Sequence, residues 1–178
     1  MHRLFVAIRP PRPIREHLLG LMQGVADARW QDEEQLHLTL RFIGEVDGRT
    51  ADDVDATLSS VRHPPFTIAL SGLGAFERRG SPLALWAGVA PHDSLKALHK
   101  KVDQALVRGA GLEPERRAYL PHITLARFGR GGWPLGGMVE RGAAVSSQPF
   151  EVDSFSLYES RLTPDGALYT LAARYALR

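Results

Sequence analysis

His37-Leu38-Thr39-Leu40 and His122-Ile123-Thr124-Leu125 repeat one pattern, His-apolar-Thr-apolar, in a chain of 178 residues. With seven His in the chain, a His-x-Thr triplet is expected roughly 0.3 times by chance, and the full tetrapeptide roughly 0.05 times. In extended backbone the side chains alternate between faces. Each copy therefore sends an imidazole and a hydroxyl one way and two aliphatic groups the other. Two histidines facing one cleft suit concerted acid-base chemistry, because imidazole titrates near neutrality. One takes a proton from an attacking water or hydroxyl while the other protonates the departing oxygen. The threonine hydroxyls beside them would donate to something anionic and rich in oxygen, such as phosphate.

Other chemistries fit less well. Two His without a recurrent carboxylate or thiolate make a poor zinc site, and no metal is expected. No Gly-x-Ser-x-Gly elbow and no Gly-Lys-Ser/Thr phosphate loop occurs. Arg41 has the parity of His37 and Thr39, so alternation nominates it for phosphate on the same polar face. Arg127 has the opposite parity to His122 and Thr124, and points away unless the strand ends or bulges near Ala126.

The elements that must position these residues recur as well. Leu4 to Ile8 predicts a buried strand, followed by Pro10, Pro11 and Pro13 and by Ile14, Leu18, Met22 and Val25 at helical spacing. Leu85 to Val89 predicts a second strand, followed by Pro91 and by Leu95, Leu98, Val102 and Leu106 on one helical face. Pro10 stands as far from Leu4 as Pro91 from Leu85. This reads as a strand-helix-strand unit used twice, and a pseudo-two-fold between the copies would bring both His-x-Thr faces together. Thr50 with Asp53 is expected to cap a helix carrying Val54, Leu58 and Val61. Phe66, Ile68 and Leu70 alternate as a strand. Phe150 to Tyr158 and Ala167 to Leu177 read as strands joined by a turn at Thr163-Pro164-Asp165-Gly166. Gly129 to Gly137, with Trp133, reads as a loop.

Composition bounds the rest. A hydrophobic content of 44% supports one domain over residues 1–178 or two closely packed lobes. Cysteine is absent, which excludes disulfides, thiolate metal sites and a cysteine nucleophile. Net charge is only +2, but 19 of the 22 basic residues are arginine, whose planar fork suits phosphate. A compositional bias toward arginine explains the same count. Neither a secretory apolar segment nor a run of membrane-spanning length is present, so a cytoplasmic location is expected.

With Leu36 to Gly44 and Pro121 to Phe128 framing the two motifs, the chain resembles the two-histidine (2H) phosphoesterases. It is most similar to the bacterial RNA 2',3'-cyclic phosphodiesterases, also called 2'-5' RNA ligases. The opening Arg3 to Ile8 and the closing Tyr158-Glu159-Ser160 and Leu168-Tyr169 extend the likeness to nearly the whole chain. The resemblance implies a bilobal α+β fold built as a pseudo-two-fold duplication. Two antiparallel sheets would line a central cleft, helices would cover the outer faces, and each lobe would carry one motif, at 37–40 and 122–125. It implies cofactor-free and metal-independent hydrolysis of RNA 2',3'-cyclic phosphate ends, or of small cyclic nucleotides, to a 2'-phosphomonoester. His37 would be the proton donor and His122 the acceptor. Thr39, Thr124 and Arg127 would hold phosphate oxygens, with Arg41 nominated by alternation alone. Neither a membrane nor an obligate protein partner is implied. Relatives often carry proline after the tryptophan, where this chain has Trp30-Gln31-Asp32-Glu33-Glu34. Trp30, Phe42, Trp133 and Tyr158 are candidates for stacking on a base, or for the core. Two other functions remain open: joining or cleaving 2'-5' linked RNA at the same site, and non-catalytic RNA binding through arginine.

Overall fold

The computed structural model describes residues 1–131 and 134–178. Its strands are β1 (His2–Ile8), β2 (Arg29–Trp30), β3 (Leu38–Val46), β4 (Phe66–Arg78), β5 (Ser81–Ala90), β6 (His122–Arg127), β7 (Phe150–Val152), β8 (Ser154–Thr163) and β9 (Gly166–Ala176). Its helices are α1 (Arg12–Gly20), α2 (Gly48–Leu58), α3 (Asp93–Gly109) and α4 (Gly136–Arg141). None is long and apolar enough to cross a membrane among the described residues.

The strands run in the spatial order β7-β4-β5-β6-β3-β1-β8-β9, all pairs antiparallel, with β2 added beside β6. The two expected sheets are joined edge to edge. Their seam is β3 against β6, where Leu38 pairs with Ile123. The order is symmetric about this seam, which relates β1-α1-β3 to β5-α3-β6. Each half also sends a strand across: β4 extends the β5 side and β8 extends the β1 side.

Alternation explains which face each strand buries. Leu4, Val6 and Ile8 join Leu38, Leu40, Ile123 and Leu125 in a core sealed by Ile14 and Leu18 of α1, Val54 and Leu58 of α2, and the α3 stripe. All four residues of that stripe, Leu95, Leu98, Val102 and Leu106, are fully buried, each contributing about 1.5–3 kcal/mol by burial. Phe5 points to the other face, so β1 is apolar on both sides, as its unbroken Leu-Phe-Val-Ala-Ile run requires.

Four local expectations are corrected. Helix α1 stops at Gly20, leaving Met22 and Val25 outside it, because Gly20 weakens the last turn and Gly24 takes a left-handed φ of 74°. Helix α2 is capped by Asp47, whose carboxylate accepts the Thr50 N–H at 2.7 Å, so Thr50 lies inside it. Strand β4 runs on past Leu70 to Arg78 and turns into β5 through Arg79 and Gly80, both at positive φ, the hairpin geometry that matches strand twist. The segment Phe150 to Tyr158 is two strands rather than one. It divides at Asp153, β7 pairing with β4 on one side of the seam and β8 with β1 on the other.

Candidate active site

The seam places the two motifs side by side. Leu38, Leu40, Ile123 and Leu125 are buried beneath it, while His37, Thr39, His122 and Thr124 are only half-buried on the opposite face. Both rings are held alike. His37 Nδ1 lies 2.6 Å from the carbonyl of Gln35, and His122 Nδ1 lies 2.7 Å from the carbonyl of Leu120, in each case two residues upstream. A carbonyl only accepts, so Nδ1 carries a proton in both rings. Nε2 is left as the nitrogen that gains and loses one.

Aromatic rings fix the planes. His37 lies 4.9 Å from Phe5 and 5.2 Å edge-on from Tyr169. His122 lies 4.9 Å edge-on from Phe76 and 5.8 Å from Trp86. If Leu4 is aligned with Leu85, Phe5 falls on Trp86, so each motif histidine rests on the equivalent aromatic of the neighbouring strand. Trp86 lies so close over Gly74 that a Cβ there would collide with the indole.

Bulges decide where the arginines point. Along β3, Ala7 pairs with Thr39 and Val6 with Arg41, so Leu40 is an extra residue. Along β6, Trp86 pairs with Thr124 and Leu85 with Ala126, so Leu125 is extra. Each bulge therefore falls on the fourth residue of its motif, and parity reverses beyond it. Arg41 is turned away from the polar face, contrary to the expectation from alternation. It is buried, with Nε donating to Asp103 at 2.7 Å, one terminal nitrogen donating to Glu115 at 3.3 Å and to the Phe42 carbonyl, and the other donating to the Glu113 carbonyl. Arg127 is turned toward the histidines and is exposed, with no acidic partner among the described residues. At the position equivalent to Arg127, the first motif carries Phe42, which is 47% exposed. Each bulge carbonyl finds a donor outside the strands that flank it: His99 Nδ1 for Leu40, and the Gln31 N–H of the segment after β2 for Leu125.

Burial first, opposed by the Gln35 carbonyl and helped by the nearby Arg127 and His122, brings the His37 pKa down to about 4. His122 is lowered too, by burial first and then by Arg127. Two neutral imidazoles and a guanidinium with no ion pair among the described residues thus share one face, an arrangement that favours an anion. Beside them opens a cavity of about 390 Å³, lined among others by Thr39, Phe42, Phe76, His99, Tyr119 and His122. No three His, Asp or Glu side chains converge as a metal-binding set among the described residues.

The stacking candidates are dispersed. Phe42 faces the cavity. Tyr158 stacks on Phe5 at 5.4 Å. Trp30 is partly buried against the core, and Trp133 lies outside the described residues. Phe5, Phe76, Trp86, Tyr169 and His99 escaped the reading of the motifs. Only Phe5 and Trp86 had a usable signal, the matched spacing of the two strand-helix units.

The family model of the 2'-5' RNA ligase superfamily matches residues 10–163. The chain is 34% identical over 170 residues to a protein of Archaeoglobus fulgidus named RNA 2',3'-cyclic phosphodiesterase, covering 94% of this chain and 96% of that one. The crystal structure of TT0787 of Thermus thermophilus superposes with a TM-score of 0.81 at 26% identity, covering 99% and 98% of the two chains. That of E. coli LigT complexed with 3'-AMP gives 0.77 at 28% identity, again over 99% and 98%.

Proposed function

The chain belongs to the 2'-5' RNA ligase superfamily, and we propose that it is an RNA 2',3'-cyclic phosphodiesterase that opens the cyclic phosphate to a 2'-phosphomonoester without a metal ion. One observation carries the reading. Two imidazoles tethered identically at Nδ1 present Nε2 to one face, onto which the Leu125 bulge also turns Arg127. His122 Nε2 takes a proton from water as its oxygen attacks phosphorus. The bond from phosphorus to O3' breaks, and His37 Nε2 gives its proton to O3'. Thr39, Thr124 and Arg127 hold the non-bridging oxygens, whose charge grows as water adds. Arg41 takes no part, because its guanidinium is committed to Asp103 and Glu115. Phe42 offers the base a stacking face.

His37 is the harder of the two to protonate, which by itself suits a base better than an acid. A bound phosphate anion opposes the Arg127 charge that depresses both rings and so favours the imidazolium the donor role needs. An RNA hydroxyl in place of water would join ends by the same proton transfers, and the concentration of water favours hydrolysis.

The test is phosphorus NMR of a 2',3'-cyclic nucleotide with the protein in EDTA, repeated with His37→Ala and His122→Ala. Conversion to the 2'-monophosphate, lost in both variants, is expected. Wild-type turnover in either variant, or dependence on an added divalent ion, would overturn the mechanism. RNA binding that survives both changes in a protein without turnover would identify a binding module instead.

A further inference from the structure

We propose that His99 reads the base of the nucleotide bearing the cyclic phosphate, by accepting a hydrogen bond from the exocyclic amine of adenine or cytosine. This rests on the phosphodiesterase reading above and adds a specificity to it.

His99 projects from α3 beside the stripe that anchors that helix in the core. Its Nδ1 lies 2.7 Å from the carbonyl of Leu40, the bulged residue of the first motif. Because the carbonyl only accepts, Nδ1 holds the proton, and Nε2 of the neutral ring is a bare acceptor. The ring lies flat on Tyr119, 4.1 Å between centroids with 6° between planes, so its orientation is set from a second side. Four residues on, Asp103 takes the Arg41 guanidinium and also accepts the Glu115 N–H, tying the same bulge, the same helix and the segment leading to Tyr119 into one unit. The ring is therefore a fixed group.

Nε2 has no protein partner among the described residues, and the His99 ring lines the cavity of about 390 Å³ together with Thr39 and His122. A site of this size takes a nucleoside. Phe42, two residues beyond the Leu40 carbonyl that His99 grips, supplies the stacking face. A base lying on Phe42 presents its edge to His99. Adenine and cytosine carry an amine donor on that edge, where hypoxanthine and uracil carry a carbonyl oxygen that would face the Nε2 lone pair. A site built to accept from an amine rejects the carbonyl analogue because two acceptors are left opposed.

The experiment compares kcat/KM for the 2',3'-cyclic phosphates of adenosine, inosine, cytidine and uridine. Wild type is expected to favour adenosine over inosine, and cytidine over uridine, each by about tenfold. His99→Asn sets an amide nitrogen where Nδ1 stood, keeping the bond to Leu40 and removing the acceptor. Both ratios should fall toward one, through a loss on adenosine and cytidine and a gain on inosine and uridine. Equal turnover of all four by wild type overturns the proposal while leaving the phosphodiesterase reading intact. So does His99→Asn with both ratios preserved, or a loss common to all four substrates, which would mark His99 as a tether only. Absence of turnover on every substrate overturns both readings together.

Discussion

Arg41 and Arg127 follow equivalent motifs, and the two bulges send them to opposite fates that a pair of substitutions separates. Arg41→Met keeps side-chain volume but removes a guanidinium that bonds Asp103, Glu115 and two carbonyls. The side chains are 9% exposed for Arg41, 16% for Asp103 and 25% for Glu115. Removing one partner of a buried pair costs about 3–5 kcal/mol, and the partial exposure of the two carboxylates argues for the lower end, about 3 kcal/mol. For a chain of this size that lowers Tm by about 6–12 °C. Arg127→Ala leaves an exposed site with no ion pair to break among the described residues, so stability should move by less than about 0.5 kcal/mol. It removes a charged donor from the developing phosphorane, and kcat/KM should fall about 10²–10³-fold. Urea unfolding and steady-state hydrolysis of adenosine 2',3'-cyclic phosphate read the two quantities independently. Equal destabilisation by both substitutions would refute the division of roles. A loss of turnover of about 10²-fold by fully stable Arg41→Met would do the same.

Three further outcomes are expected. Because His37 titrates near 4 in the folded protein and near 6.5 when unfolded, the unfolded chain binds the extra proton first. Stability from this residue is present above pH 6.5 and is lost as pH falls toward 4. The urea midpoint of wild type should drop over that window more than that of His37→Phe, and parallel pH curves would count against the buried neutral ring. Replacing the leaving O3' of the substrate by sulfur, which departs without a proton, should restore turnover to His37→Ala and not to His122→Ala; the reverse pattern would exchange donor and acceptor. Gly88→Ala would drive a Cβ into the Ser71 carbonyl oxygen, beside the pairing of Gly88 with His122. Backbone must shift there, so a loss of about 1–3 kcal/mol is expected in calorimetry, and an unchanged Tm would contradict the close approach of the strands.

The motif histidines were legible because tetrapeptide and spacing are local properties. An imidazole at the start of a strand with aliphatic neighbours at alternate positions has little choice of face, and the helical stripe of α3 was equally plain from its period. The crossing of β4 and β8 between the halves was not legible, because pairing partners far apart in sequence leave no local trace. Nor was the break at Asp153, where one unbroken β-forming run supplies two strands to opposite sides of the seam.

The sequence by itself determined which polar groups share a face: two imidazoles and two hydroxyls, on strands whose period-two pattern sends them the same way. Only the tertiary structure decided which arginine stands with them. Period two holds along a strand until one residue is left without a partner, and whether Leu40 and Leu125 are such residues depends on the registers of β1 and β5, which lie far away in the chain. One extra residue in each strand inverts the faces beyond it. Alternation alone therefore put Arg41 in the cleft and Arg127 outside it, and the registers of the neighbouring strands reversed both.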